Sequence, residues 1–150
     1  MPATNDLIRN SALLPLQVLS GTWNAELSEA SFLGDPFKKV VMQVAFEWIE
    51  NGAFLVMRMP LDPPDSIWIV GRDAASDDYQ VLYFDNRNVS RNYQMSFSNR
   101  TWKIWRNAPT FSQRFEGKIS EDANFIKAKW EKSLDGKTWE HDFSIAYARL

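Results

Sequence analysis

The single histidine of the chain, His141, lies where Trp139, His141, Phe143, Ile145 and Tyr147 alternate with Glu140, Asp142, Ser144, Ala146 and Ala148. In an extended strand this alternation puts the imidazole on the apolar, inward face. There it could ligate iron or move a proton near neutral pH; the competing expectation is a polar group that simply finds hydrogen-bond partners. Arg91 shares its parity with Val89, Tyr93 and Met95, which directs the guanidinium inward or toward a mouth. Its planar fork suits a carboxylate, held by two parallel charge-assisted hydrogen bonds. An internal ion pair with Asp85 is the alternative partner. Tyr83 and Asp85 share parity with Tyr79 and Val81, so Arg91, Tyr93, Tyr83 and Asp85 form a candidate polar cluster, able to fix a ligand head or transfer a proton. Trp48, on the parity of Val40, Met42, Val44 and Phe46, joins them as a candidate ligand contact.

The elements that must position these groups are short. From Thr22 onward about ten segments rich in β-branched and aromatic residues are separated by turn clusters: Thr22–Leu27, Val40–Glu50, Ala53–Met59, Ser66–Gly71, Tyr79–Asp85, Val89–Ser98, Thr101–Asn107, Phe111–Ser120, Phe125–Ser133 and Trp139–Leu150. Asn51-Gly52 and Asp135-Gly136 supply the positive φ of tight hairpins, while Ser98-Asn99-Arg100 and residues 121–124 are short polar links. Links this short force antiparallel neighbours, because parallel pairs need crossovers of a dozen or more residues. An open sheet would leave two exposed edges, and closure into a barrel removes them. The expected fold is therefore all-β: one closed antiparallel barrel of about ten strands spanning residues 1–150. A two-sheet sandwich of similar size is the alternative. Residues 1–20 form a short helical plug, with Asn5 or Asp6 as cap and Pro15 in the first turn, stopped at Gly21. The longest connection, residues 28–39, is the expected lid.

Composition narrows the function. Lys and Arg number 17 against 19 Asp and Glu, scattered without a basic stripe, so nucleic acid is not an expected partner. With no cysteine, disulfides and thiolate metal sites are excluded. No apolar run reaches the ~18–20 residues that span a bilayer, and the start lacks a leader pattern, so the expectation is a cytoplasmic protein with no membrane partner. Phosphate-binding glycine loops, nucleophile elbows and His-Glu-x-x-His pairs are missing. Asp62 and Asp65 flank a rigid Pro63-Pro64 turn and make no metal site. The 7 Trp and 10 Phe point to an aromatic core or an aromatic-lined cavity, with Trp68, Trp102, Trp105 and Trp130 as packing or pocket rings. Glu47 and Arg114 read as solvent-facing.

The stretch Pro15-Leu16-Gln17-Val18-Leu19-Ser20-Gly21-Thr22-Trp23 resembles the opening of lipocalin-like barrels, where a short helix leads to a Gly-x-Trp element whose Trp plugs one end. The runs Tyr83 to Tyr93, Trp102 to Arg106, Phe111 to Phe115, Trp130 to Ser133 with Asp135-Gly136, and Trp139 to Phe143 are similar to a bacterial family of small calycin-type barrels of unknown function. The opening also resembles, more distantly, that of the nitrobindins, although Gly21 to Glu26 lacks the glycines that follow the Trp in those haem-binding barrels. That resemblance implies haem as a cofactor with His141 as iron ligand. The leading expectation is a binding protein for a small apolar, planar or carboxylate-bearing molecule. The alternatives are haem binding through His141, a calycin-type isomerase, cyclase or decarboxylase using Arg, Tyr and Asp groups, and a filled barrel that forms a homodimer.

Overall fold

The computed structural model describes residues 10–60 and 64–150. The Asn5 or Asp6 cap and the Asp62-Pro63 turn lie outside these residues. Ten strands close into an antiparallel barrel in next-neighbour order: β1 (Gly21–Ser28), β2 (Val40–Ile49), β3 (Phe54–Pro60), β4 (Asp65–Gly71), β5 (Tyr79–Asp85), β6 (Ser90–Ser98), β7 (Thr101–Arg106), β8 (Ser112–Ile119), β9 (Phe125–Ser133) and β10 (Glu140–Arg149). Closure comes from β1 pairing with both β2 and β10, Trp23 opposite Arg149 at one end and Ser28 opposite Ser144 at the other. The sandwich alternative is thereby excluded.

Alternation sets the two faces as the sequence predicts. Tyr79, Val81 and Tyr83 are buried while Gln80, Leu82 and Phe84 are exposed, and Tyr93 and Met95 alternate with the exposed Asn92 and Gln94. Turn chemistry fixes the register. Glu50, Asn51 and Gly52 all have positive φ, the last at 83°, as the tight β2–β3 link requires. Asp135 Oδ1 accepts from the backbone N–H groups of Lys137 and Thr138 at 2.8 and 2.7 Å and so organises the β9–β10 turn.

One end is plugged. Residues Ser11–Leu19 form a 3-10 helix, longer than the one or two turns expected. Leu13, Leu16 and Leu19 recur every third residue, which in a helix of three residues per turn lines them along one side, and all three are fully buried. Asn10 caps this helix, its side chain accepting from Ala12 N at 3.1 Å. Tyr79 Oη donates to Ala12 O at 2.8 Å and Trp48 Nε1 to Gln17 Oε1 at 2.9 Å, pinning the helix to the barrel base. Trp23 is fully buried there, donates from Nε1 to Leu19 O at 2.9 Å, and lies under the Arg149 guanidinium, 4.1 Å from the ring centroid.

The other end is the mouth. A second, three-residue 3-10 turn, Ser31–Leu33, interrupts the expected lid segment and brings Phe32 edge-on to Phe143, with centroids 5.7 Å apart. The β9–β10 ladder slips there as well: His141 faces Glu131 while Phe143 faces Trp130, so Asp142 is an extra residue in a bulge. The extra residue reverses the parity read from the sequence. Asp142 is buried and His141 is exposed. Trp139 likewise sits on the outer wall, where the Arg114 guanidinium covers its ring at 4.1 Å.

Candidate functional site

Between the plugged base and the Phe32 mouth lies a cavity of about 430 Å³. This falls in the ~300–1,000 Å³ range of small-molecule sites, so the barrel can hold one small ligand. Trp68, Trp130, Phe115, Met57 and Tyr93 make its walls. The rings form a continuous cluster: Trp68 lies 4.6 Å from Tyr83, 5.3 Å from Tyr93 and 5.9 Å from Trp130 between centroids, and Trp130 lies 5.1 Å from Phe115. Of the four tryptophans left between packing and pocket, Trp68, Trp102 and Trp130 line the cavity, while Trp105 faces outward and donates to Gln94. Glu47 and Arg114 are exposed, as expected.

Polar groups gather on one side of the mouth, carried by β5, β6 and β8. Tyr93 Oη donates to Gln113 Oε1 at 2.6 Å, and Arg91 Nη1 donates to the same oxygen at 3.3 Å. The Arg91 guanidinium lies 5.2 Å from the Phe111 ring and 6.0 Å from that of Tyr83. No ion pair among the described residues includes Arg91. Burial raises the Tyr93 phenol above its ordinary pKa against the opposing pull of Arg91 and Arg106, which keeps it a hydrogen-bond donor.

Two ion pairs flank this group. Arg87 Nη2 lies 2.7 Å from Asp85 Oδ2, which also accepts from Tyr83 Oη at 2.6 Å. The Arg87 hydrogen bond holds the Asp85 carboxyl below its ordinary range despite an enclosed side chain, and burial together with Asp85 drives the Tyr83 phenol upward. Across the mouth Lys132 Nζ lies 3.7 Å from Asp142 Oδ1, and burial raises Asp142 although Lys132 opposes it. Among the described residues, three cations, Arg87, Arg91 and Lys132, face two carboxylates, a positive surplus centred on Arg91.

Arg91, Tyr93 and Tyr83 line the cavity together, and Asp85 is joined to it through Tyr83. The alternative pairing of Asp85 with Arg91 does not form, because Arg87, two residues along the same turn, takes the carboxylate. Trp48 is not among the walls: its indole is committed to Gln17 at the base. His141 is corrected outright. Its side chain is 41% exposed, with Nε2 3.7 Å from Glu29 Oε2, and it is absent from the cavity wall. An iron bound in the lumen would find no imidazole there, so the residues do not fit the haem arrangement that the nitrobindin resemblance implies.

Gln113, Arg87, Lys132 and Asp142 line the cavity and escaped the sequence reading. Gln113 was visible in principle, since it shares parity with Phe111 and Phe115. Arg87 carried a weaker signal, the Asp85-x-Arg87 spacing of a side-chain-stabilised turn. Asp142 carried none, because parity fails across a bulge.

No known protein family matches the sequence, and no curated protein is significantly similar to it. Among solved structures the fold is similar to the crystal structure of Rv2717c from M. tuberculosis, with a TM-score of 0.60 at 11% identity over 94% of this chain and 98% of that one. At that identity the likeness concerns the fold alone.

Proposed function

We propose that this barrel binds a small molecule with a carboxylate at one end and an apolar or planar body, the carboxylate at Arg91 and Tyr93 and the body among Trp68, Trp130 and Phe115. One observation carries the reading: at the rim of an aromatic cavity, Arg91 is held by a neutral amide and two rings and has no carboxylate partner among the described residues. A guanidinium so held keeps donors for an incoming anion, and the Tyr93 hydroxyl stands beside it. Ten-strand closure and the Trp23 plug support a calycin-type barrel as the setting.

The test uses decanoate and its methyl ester, titrated calorimetrically into the wild type and Arg91→Met. A charge-assisted hydrogen bond is worth roughly 1.5–3 kcal/mol, so the variant should bind decanoate about ten- to a hundredfold more weakly. Ester affinity should be the same in both proteins. Equal binding of acid and ester by the wild type defeats the proposal.

An enzymatic reading is favoured by Asp142, a buried carboxyl whose pKa burial raises beside the cavity. Its Lys132 partner offsets that shift, and binding remains the reading adopted.

A further inference from the structure

The barrel wall is incomplete on one side of the mouth. The β5–β6 ladder runs from Tyr79 opposite Met95 to Phe84 opposite Ser90, whereas the β6–β7 ladder stops at Gln94 opposite Trp105. Residues 90–93 of β6 therefore have β5 on one side and no ladder partner on the other, which leaves a notch about 10 Å long at the usual rise of a strand. The cause is local. β7 ends at Arg106, ahead of Pro109, which has no N–H to give to a ladder, and the Ser112 hydroxyl holds the returning loop by accepting from Ala108 N at 3.2 Å and donating to Ala108 O at 3.1 Å. Across the notch the contact is made by side chains, Tyr93 and Arg91 both donating to Gln113 on β8. Outside it lies a groove of about 720 Å³, and Arg91 and Tyr93 line this groove as well as the cavity. The two spaces thus share one polar boundary.

Arg106 stands at that boundary. It lies directly opposite Gln113 in the β7–β8 ladder and has the parity of Trp102 and Ile104, the inward residues of β7. Its guanidinium is 6.0 Å from the Tyr93 ring centroid, and the residue lines the groove. Arg91 and Arg106 are the two cations that act on the Tyr93 phenol, and among the described residues neither has a carboxylate partner. On the outer wall, by contrast, Arg114 and Lys39 each meet a glutamate. Two unmatched guanidiniums beside one phenol repel each other, and an anion between them turns that repulsion into attraction. We infer that the notch is a second anion subsite: the ligand carries two carboxylates at the same end, one on Arg91 and Tyr93 and the other on Arg106. The inference rests on the carboxylate reading of Arg91 and narrows its ligand class to alkyl-substituted dicarboxylic acids. Because both guanidiniums neighbour the same phenol, the two charges belong on one carbon or on adjacent carbons. The alkyl body stays in the cavity, since the groove outside presents Gln80, Asn92 and Gln94. If Arg106 did no more than stack on Tyr93, singly and doubly charged ligands would bind alike.

The experiment compares three probes: decanoate; octylmalonate, which is decanoate with a second carboxylate on the carbon beside the first; and the monomethyl ester of octylmalonate, which keeps the bulk and loses one charge. Affinities are measured by calorimetry at about pH 8, where every free carboxyl is ionised. The wild type should bind octylmalonate about tenfold more tightly than decanoate, as one further charge-assisted contact implies, and the monoester no more tightly than decanoate. Arg106→Met should bring the two acids to equal affinity, Arg106→Lys should keep part of the preference, and added salt should shrink it. Should Arg106→Met fail to fold, the wild-type comparison and Arg106→Lys decide. Equal binding of the two acids by the wild type, or a preference undiminished in the Arg106 variants, overturns the notch subsite, while the Arg91 reading stands if decanoate still binds more weakly to Arg91→Met. If decanoate binds no better than its own methyl ester, yet octylmalonate binds and is weakened by Arg106→Met, the Arg91 reading fails and the notch subsite stands. Binding of none of the probes overturns both.

Discussion

Replacing Arg149 by Met removes the cation that ties the base of the barrel together while retaining an apolar stem over Trp23. In the native chain this one guanidinium donates to Ser20 O at 2.7 Å, to Val18 O, and to Ala123 O at 3.1 and 3.0 Å, joining the end of the 3-10 helix to the β8–β9 turn. Three backbone carbonyls lose a charged donor in the variant. The site is half-buried and water can replace part of the loss, so each carbonyl accounts for about 1 kcal/mol rather than the larger figure of an enclosed charged bond. The lost cation–π contact, 4.1 Å from the Trp23 ring, adds roughly 0.5–1 kcal/mol. The expected loss is about 3–4 kcal/mol, which for a chain of this length lowers Tm by roughly 6–16 °C. Urea unfolding followed by tryptophan fluorescence measures it, and Arg149→Lys should recover less than half because one ammonium cannot span all three acceptors. A loss under about 1 kcal/mol for the Met variant, or full recovery by Lys, would show that the base is held by apolar packing and not by this cation.

Acid should destabilise the fold through named carboxylates. Asp85, Glu131 and Asp135 are held below their ordinary values by bonds from Arg87, from Arg114 and from the Thr138 and Lys137 backbone respectively, Asp135 down to about 2. Between roughly pH 4 and those lower values the unfolded chain binds more protons than the folded one, so stability is complete above about pH 4 and is lost as pH falls. Asp135→Asn should flatten this decline in a circular-dichroism titration from about pH 4 to 2, and a curve as steep as the wild type's would dismiss Asp135 as a contributor. At the outer wall, His141→Ala should change stability by less than about 0.5 kcal/mol and leave the absorption spectrum of added hemin unaltered. A Soret band that depends on His141 would contradict the outward placement of the imidazole.

Strand existence and boundaries were legible because each signal was local and repeated. Alternation at Tyr79, Val81 and Tyr83, and positive-φ residues at Asn51-Gly52, each specify the same barrel independently. The inward orientation of Arg91 and Tyr93 followed from that regularity. What failed was whatever depended on one non-repeating event. The bulge at Asp142 shifts the ladder by a residue and turns His141 outward, an effect that no parity count upstream of it contains. Trp48 had the correct inward parity but the wrong level along the axis, and level is set by the stagger of closed strands, not by alternation. The Asp85 partner was missed by proximity: Arg87 competes from within the same turn, where little chain entropy opposes the contact.

The slip in β10 also separates two design problems that a regular ladder would couple. From Phe143 to Ala148 the pairing with β9 is unbroken, so the irregularity stays confined to the rim. Shortening the strand by one residue at position 141 or 142 would exchange the electrostatic character of the opening in a single step, and the paired stretch below would not have to move. The rim of the opening can thus change its charge without disturbing the ladder that shapes the wall beneath it.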